Sequence, residues 1–203
     1  MIQAAAPALI LASASTARRA VLQGAGLRFE TRVAGVDEAA IKEAAQAEGI
    51  PAKDAALMLA DAKAERIATQ APDALVIGAD QLLVCEGTWF DKPPDMAAAR
   101  SHLQRLRGRR HELVTALVAH HGGQRIWQHV AKPRLAMRDF SDAFLEAYLA
   151  AEGEALLSSV GAYRLEGHGA QLFEAIEGDQ PAILGMPLLP LLGFLRQHGV
   201  LLA

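Results

Sequence analysis

The 203-residue chain is poor in cysteine, in aromatic residues and in excess positive charge, and each shortage excludes a class of protein. Its one cysteine, Cys85, cannot form an internal disulfide or a thiolate metal cluster, so a reducing compartment is expected. With 20 Lys and Arg against 23 Asp and Glu, the net charge is -3. That balance, and the lack of a basic stripe with interleaved aromatics, excludes a nucleic-acid-binding surface.

Long apolar runs are also missing. The longest run, residues 183 to 195, contains two prolines and is shorter than the roughly 20 residues that span a bilayer. An apolar stretch near the N-terminus is followed by Arg18 and Arg19, whereas a secretory signal carries its positive charge before the apolar run. We therefore predict a cytoplasmic chain without a membrane segment.

The residues that are present, 52% of them hydrophobic, suit one folded domain over residues 1–203. Apolar strand patterns alternate with helical patterns, which predicts the α/β class with a mixed sheet. The predicted strands are Leu9–Ala12, Leu27–Ala34 and Leu75–Ala79, a hairpin over residues 82–90, and an antiparallel pair, Leu113–Ala119 with Gln124–Leu135. Helices are predicted to begin at the turn of residues 13–16 and at residues 37–38, and to cover residues 51–70, 96–106, 142–151 and 188–198.

The first candidate site is the turn between the first strand and the first helix. It contains Ser13 and Ser15, and Arg18 follows in the first turns of the helix. Free backbone N–H groups at a helix start, together with hydroxyls and a guanidinium, can bind phosphate. An ordinary capped helix with solvated arginines is the alternative interpretation.

The second candidate is Asp80, which follows the predicted strand Leu75–Ala79. Ligands of open α/β sheets bind at the carboxyl ends of strands, and a carboxylate there can hold Mg²⁺ or activate water. Asp80 could equally form a turn or cap a helix. Two lysines are further candidates: Lys92 in a proline-stiffened loop, and Lys63 on an alanine-rich helix face. Solvated surface lysines are the alternative for both.

The third candidate is the glycine-rich segment Gly161–Gly169, in which Tyr163 and Glu166 could read a nucleobase. A flexible surface loop is the alternative. The seven histidines are scattered without a ligand spacing, so we expect no zinc site. The acidic residues Asp142, Glu146 and Glu152 are interpreted as a solvated helix face.

Together these segments resemble one family, the Maf-like nucleoside triphosphate pyrophosphatases, named for an association with septum formation. The resemblance covers residues 9 to about 199 and is carried by the following blocks: LILASASTARR, VDE, LADAKAE, VIGADQ, DKPPD, LRGRRHELVTALVA, GAYRLEGHGAQLFEAIEGD and LGMPL. It implies an elongated α/β fold with two lobes enclosing a cleft, often as a homodimer.

The resemblance also implies hydrolysis of a nucleoside triphosphate between its α- and β-phosphates, with Mg²⁺ or Mn²⁺ as cofactor. Asp80 matches the family's proton acceptor, and Glu38 would assist through the metal or the water. A carboxylate beside Mg²⁺ is a weak base, so Asp80 could instead position the metal or the water. The residues expected to hold phosphates are Ser13, Arg18, Lys63 and Lys92.

Three positions bear on which nucleotide is used. Gln81 and Glu166 resemble the family's 7-methyl-GTP branch, whereas its dTTP/UTP branch has Thr and Gln there. A carboxylate such as Glu166 can accept from guanine N1–H and the 2-amino group, and it favours a cationic methylated purine. Ala17 departs from this branch, which has Trp at that position. The alternatives are a dTTP/UTP-type enzyme and a nucleotide-binding regulator of septum formation with little turnover.

Overall fold

The structure, a computed structural model, describes residues 2–203, and these form the predicted α/β fold. The strands are β1 (Leu9–Ala12), β2 (Glu30–Thr31), β3 (Leu75–Cys85), β4 (Thr88–Phe90), β5 (Arg110–His121), β6 (Gln124–Ala131), β7 (Arg134–Met137) and β8 (Phe173–Glu177). The α-helices are α1 (Thr16–Gly24), α2 (Glu38–Ala47), α3 (Ala52–Ala68), α4 (Met96–Leu106), α5 (Asp142–Glu152), α6 (Gln180–Ile183) and α7 (Leu188–Gln197). No helix among these described residues is long and apolar enough to cross a membrane.

All eight strands belong to one mixed sheet with the order β2-β1-β3-β5-β7-β8. The pairs β1/β2 and β1/β3 are parallel, which requires the helical connections α1, α2 and α3. The antiparallel pairs include β3/β4, β5/β6, β5/β7 and β7/β8. The mixed pairing predicted from the short hairpins is therefore confirmed.

The chain divides into two compact units, and the boundaries fall inside β3 and β5. The first unit contains the stretch that ends at Gln81, together with Thr115–Ala131 and Asp179–Ala203. Its core is a cluster of buried apolar side chains from β1, α1, β3, β5 and α7, including Leu11, Leu22, Ile77, Leu117 and Phe194. The turn that follows β1 is therefore connected to elements that pack in this core.

The second unit comprises Leu82–Val114 and Lys132–Gly178. It contains α4, α5 and three short 3-10 helices, Gly153–Ser158, Val160–Ala162 and His168–Leu172. Leu103 and Leu106 of α4, Leu145 of α5 and Leu156 are fully buried. The glycine-rich segment Gly161–Gly169 forms turns and short 3-10 helices, with both of its ends buried in this unit and residues 166–168 exposed.

Several predicted strands have different bounds in the structure. Leu27–Ala34 was expected to be one strand, but only Glu30–Thr31 pairs with β1, which is itself four residues long. Gln124–Leu135 divides into β6 and β7 around Pro133, because proline has no N–H to donate to the ladder. The sequence analysis missed β8 and the four-residue helix α6.

One buried histidine of the second unit makes stability depend on pH. His111 is 3% exposed, its Nε2 lies 2.9 Å from the Tyr163 hydroxyl, and burial lowers its pKa to about 4. The unfolded chain protonates this residue near its ordinary pKa of 6.5 and so takes up more protons between pH 6.5 and 4. The free energy of unfolding therefore falls as the pH falls through that window.

We expect His111→Gln to remove this component. Between pH 7 and pH 5, His111 should lower the free energy of unfolding of the wild-type protein by about 2 kcal/mol. The free energy of unfolding of the variant, measured with urea at both pH values, should fall by about 2 kcal/mol less. Other groups titrate in both proteins, so the comparison isolates His111. Equal losses in the two proteins would contradict the prediction.

Candidate functional site

The turn after β1 combines a helix start with two serines. Ser15 is the N-cap of α1, and its side chain accepts a hydrogen bond from the backbone N–H of Arg18 at 3.3 Å. The buried Ser13 Oγ accepts from the backbone N–H of Ser15 at 3.2 Å. The first N–H groups of the helix have no intrahelical acceptor, so the turn presents donors to an anion.

Arg18 is tied to the site and is not a solvated surface arginine. Its Nη1 donates to Ser13 Oγ at 3.2 Å and to the Ala79 carbonyl at 3.0 Å, and its Nε donates to the Gly185 carbonyl at 3.0 Å. Burial lowers the pKa of Arg18, and the negative charges of Asp80 and Glu38 oppose that shift. The guanidinium thus lies within the field of the two candidate catalytic carboxylates.

Lys63 joins those two carboxylates. Its Nζ lies 2.6 Å from Asp80 Oδ1 and 2.8 Å from Glu38 Oε1. The side chains of Lys63 and Asp80 are 10% and 6% exposed, whereas that of Glu38 is 45% exposed. A charge buried to this extent must be paired, so the alternative of a snorkelling surface lysine does not hold.

Local structure places each of the three groups. Asp37 caps α2 by accepting from the N–H of Ala40 at 3.1 Å, which puts Glu38 at the first helical position. Lys63 lies on the buried face of α3, among alanines. Asp80 lies within β3, since the strand continues to Cys85 and does not end at Ala79 as the sequence analysis expected. The parallel pairing of β3 with β1 stops at Gly78, so Asp80 lies just beyond the end of β1.

Gly78 sets the distance between α3 and β3. A Cβ at this position would lie 2.8 Å from Ala64 Cβ and 2.9 Å from Ala64 N, and it would overlap the Ala60 carbonyl oxygen. Only glycine permits the helix to approach this closely. The approach brings Lys63 of α3 within hydrogen-bond distance of Asp80, two residues further along the strand.

The same carboxylates fit a divalent cation. Asp80 Oδ2 is buried without a hydrogen-bond partner, so one carboxylate oxygen remains for a ligand. Among the described residues, no group of three or more His, Cys, Asp or Glu side chains could hold a metal. Mg²⁺ is usually held by one or two carboxylates together with waters and substrate phosphates, so Asp80 and Glu38 are the residues that could hold it.

Gln81 and Ala17 are the two predicted specificity residues of the first unit. The Nε2 of Gln81 lies 2.7 Å from Thr115 Oγ1, 3.0 Å from the Ile183 carbonyl and 3.2 Å from the Ala182 carbonyl. Gln81 therefore fastens α6 to the sheet with its amide hydrogens, and its Oε1 is the atom that could meet a ligand. Ala17 is half-buried in the first turn of α1.

Lys92 and Glu166 belong to the second unit. Lys92 is exposed in the loop between β4 and α4. Glu166 is 39% exposed at its side chain, and its Oε1 lies 3.4 Å from Arg164 Nε. Tyr163 is 4% exposed and bonded to His111, so the suggestion that it could read a base is wrong.

Sequence reasoning missed two residues and misjudged a third. The Gly185 carbonyl accepts a hydrogen bond from Arg18 Nε, and Gly78 allows α3 to pack closely against β3. Both glycines lie in sequence blocks that carry the family resemblance, but their roles depend on residues that are distant in sequence. Glu152 was interpreted as part of a solvated helix face, yet its side chain is 5% exposed and bonded to Arg164 and His168. No local pattern distinguishes it from the exposed Glu146 on the same helix.

Comparison with known proteins identifies the family. The family described as Maf-like protein matches residues 8–198. A nucleoside triphosphate pyrophosphatase of Granulibacter bethesdensis is 61% identical over 193 residues, covering 95% of this chain and 98% of that protein. One of Rhodospirillum rubrum is 52% identical over 202 residues, covering 100% of each. A 7-methyl-GTP pyrophosphatase of Rhizobium meliloti is 49% identical over 195 residues, covering 96% and 98%. The chain therefore belongs to the Maf-like protein family.

Proposed function

We propose that the protein is a metal-dependent nucleoside triphosphate pyrophosphatase, which hydrolyses the α–β phosphate bond to give a nucleoside monophosphate and pyrophosphate. The observation that carries the proposal is the ion-paired cluster of Lys63, Asp80 and Glu38, with Asp80 Oδ2 unpaired, close to Arg18. The names of the relatives from Granulibacter bethesdensis and Rhodospirillum rubrum support the same activity.

The cluster supplies what a phosphoanhydride substrate needs. Ser13 can donate its O–H proton, because its oxygen already accepts from Ser15 and Arg18. Arg18 uses Nε and Nη1 within the protein, which leaves the two Nη2 protons for phosphate oxygens. Lys63 adds a buried positive charge, and Lys92 is proposed to contribute a further one. Such preorganised donors stabilise the charge that develops on the departing pyrophosphate.

Asp80 and Glu38 are proposed to act on the metal and the water. A bound Mg²⁺ or Mn²⁺ would supply Lewis-acid polarisation of the phosphates. Asp80 Oδ2, which has no partner inside the protein, would hold this ion or orient the attacking water. Glu38, half exposed at the start of α2, would complete the carboxylate pair. Lys63 Nζ contacts both carboxylates and holds them in place before the substrate binds.

A panel assay tests the proposal. Purified protein is incubated with 7-methyl-GTP, GTP, UTP and dTTP, and pyrophosphate release is measured with Mg²⁺, with Mn²⁺ and with EDTA. We expect release with a metal and its loss in EDTA. No pyrophosphate from any nucleotide would overturn the proposal. Tight nucleotide binding without turnover would favour the alternative, a regulator of septum formation.

Within this activity we propose 7-methyl-GTP as the preferred substrate. The relative from Rhizobium meliloti is named a 7-methyl-GTP pyrophosphatase. Glu166 presents a partly exposed carboxylate, which suits the N–H groups of guanine and the positive charge of the methylated base. A dTTP/UTP-type specificity is the alternative, since Ala17 is not the Trp of the 7-methyl-GTP branch.

We expect Glu166→Gln to shift preference toward pyrimidines. An amide can both donate to and accept from uracil or thymine, whereas it loses the charge-assisted bonds to methylated guanine. The ratio of kcat/KM for 7-methyl-GTP over UTP should fall about tenfold, the value of one hydrogen bond to a charged group. Glu174→Gln, an exposed change in β8, serves as the control. An unchanged ratio would show that Glu166 does not read the base.

A further inference from the structure

Glu152 anchors the turn that carries Glu166. It is the last residue of α5, and its side chain is 5% exposed. Its Oε1 accepts from the backbone N–H of His168 at 2.8 Å and lies 2.9 Å from His168 Nδ1, while its Oε2 lies 3.3 Å from Arg164 Nη1. One buried carboxylate therefore holds the chain on both sides of Glu166.

Two glycines make room for this anchor. A Cβ on Gly167 would lie 2.6 Å from Glu152 Oε1, and a Cβ on Gly169 would lie 2.8 Å from the backbone N and C of Arg164. The turn is closed by a hydrogen bond from Gly167 N–H to the Arg164 carbonyl at 3.2 Å. Gly167 thus makes room for Glu152 and Gly169 for the backbone of Arg164, so neither glycine need approach a ligand.

Arg164 is divided between two carboxylates. Its Nη1 lies 3.3 Å from Glu152 and its Nε lies 3.4 Å from Glu166 Oε1. An arginine free of Glu152 could turn its fork to Glu166 and engage both carboxylate oxygens. The bond to Glu152 opposes that bidentate pairing and leaves capacity on Glu166 for a ligand.

The buried carboxylate is ionised in the folded protein. Burial raises the pKa of Glu152, but the two hydrogen bonds from His168 and the charge of Arg164 outweigh it, and the pKa is lowered overall. A buried, ionised and fully bonded carboxylate is costly to build for packing alone, since an apolar side chain could fill the same space.

We infer that Glu152 is a positioning residue for base recognition: through Arg164 and His168 it holds Glu166 in place and keeps its carboxylate available to the nucleobase. The inference rests on the proposed function and on Glu166 as the base-reading group. The two glutamates then have different roles, since Glu166 contacts the base whereas Glu152 contacts only protein groups.

The test compares Glu152→Gln with Glu146→Gln, a change on the exposed face of the same helix. Both are assayed on the most and the least preferred nucleotides of the panel 7-methyl-GTP, GTP, UTP and dTTP. We expect Glu152→Gln to raise KM for the preferred nucleotide about tenfold, to change kcat less than about twofold and to reduce discrimination. Glu146→Gln should match the wild type.

A double-mutant cycle and hydrogen exchange distinguish a positioning role of Glu152 from a general effect on the fold. In a Glu166→Gln background, Glu152→Gln should add less than about twofold to the change in kcat/KM, because it acts through Glu166. Amides of residues 163–169 should exchange faster in Glu152→Gln and at the wild-type rate in Glu146→Gln. Arg164→Lys, which keeps the charge but replaces the two nitrogens that contact Glu152 and Glu166 by a single one, is the second variant if Glu152→Gln does not fold, and the same changes are expected.

The outcomes separate the inference from the proposed function. A wild-type protein that hydrolyses no nucleotide overturns the proposed function, and the inference with it. A wild-type protein that discriminates among nucleotides, with Glu152→Gln and Arg164→Lys unchanged in KM and discrimination, overturns the inference alone. Additive effects of Glu152→Gln and Glu166→Gln also overturn it, as does an equal loss of kcat for every nucleotide.

Discussion

Replacing Asp80 by asparagine is expected to lower kcat by about 10³-fold or more while the protein remains folded. The amide keeps the shape of the side chain but lacks the charge of Oδ2, the buried oxygen that has no partner in the protein. Neither a divalent cation nor an attacking water would then be held by an anionic oxygen at this position. Pyrophosphate release at saturating nucleotide and metal measures the effect directly.

The fold should tolerate Asp80→Asn because Lys63 retains an ionic partner. Glu38 Oε1 lies 2.8 Å from Lys63 Nζ, and the asparagine carbonyl oxygen can replace Asp80 Oδ1 as an acceptor. We expect the free energy of unfolding to fall by about 1–3 kcal/mol, which is less than the typical stability of a domain. Thermal unfolding of the variant shows whether lost activity reflects lost structure.

Asp73→Asn is the matched control. Asp73 is exposed in the turn before β3, and this substitution changes the net charge by the same amount as Asp80→Asn. Its kcat should equal that of the wild type. Wild-type turnover in Asp80→Asn would remove Asp80 from the mechanism, and the proposed use of its free oxygen with it. A similar loss in both variants would point to net charge and not to the site.

Part of the site could be predicted from the sequence because its signals are local. Ser15 caps α1 by bonding three residues ahead, and this pattern places Arg18 in the first turn without knowledge of the rest of the fold. The end of an apolar strand indicated Asp80, and an alanine-rich helix face indicated Lys63, whereas Glu38 was added by the resemblance to a family. These three residues are far apart in sequence. The structure brings these three together, whereas their catalytic roles remain predictions.

Other features could not be predicted because they depend on which elements pack together. Glu152 and Glu146 look alike in the sequence of α5, yet only Glu152 is covered by the turn at residues 164–168. The strand β8 has only five residues, and four of them are exposed although Ala175 and Ile176 are apolar, so its pairing with β7 gives no strong local signal. Pro133, by contrast, is a local signal that should have divided the predicted strand at residues 124–135.

Gly78 is the position where packing and chemistry are most tightly linked, and Gly78→Ala is expected to damage both. The added methyl group would meet the Ala60 carbonyl oxygen and the Cβ and N of Ala64, and none of these atoms can rotate away. The helix α3 must then move off β3. Overpacking of this kind costs about 3 kcal/mol, which corresponds to a fall in Tm of about 6–12 °C.

The displacement of α3 should also carry Lys63 away from Asp80, since the two contact atoms are now 2.6 Å apart. A misplacement of about 1 Å can lower turnover up to 100-fold, so we expect kcat to fall at least tenfold at temperatures where the variant is fully folded. Gly193→Ala is the control, because a Cβ there meets nothing within 4 Å and alanine favours the helix α7. It should stabilise the protein by up to about 1 kcal/mol and leave kcat unchanged. If Gly78→Ala instead has the Tm and kcat of the wild type, the prediction is contradicted. The glycine would then not set the distance between Lys63 and Asp80.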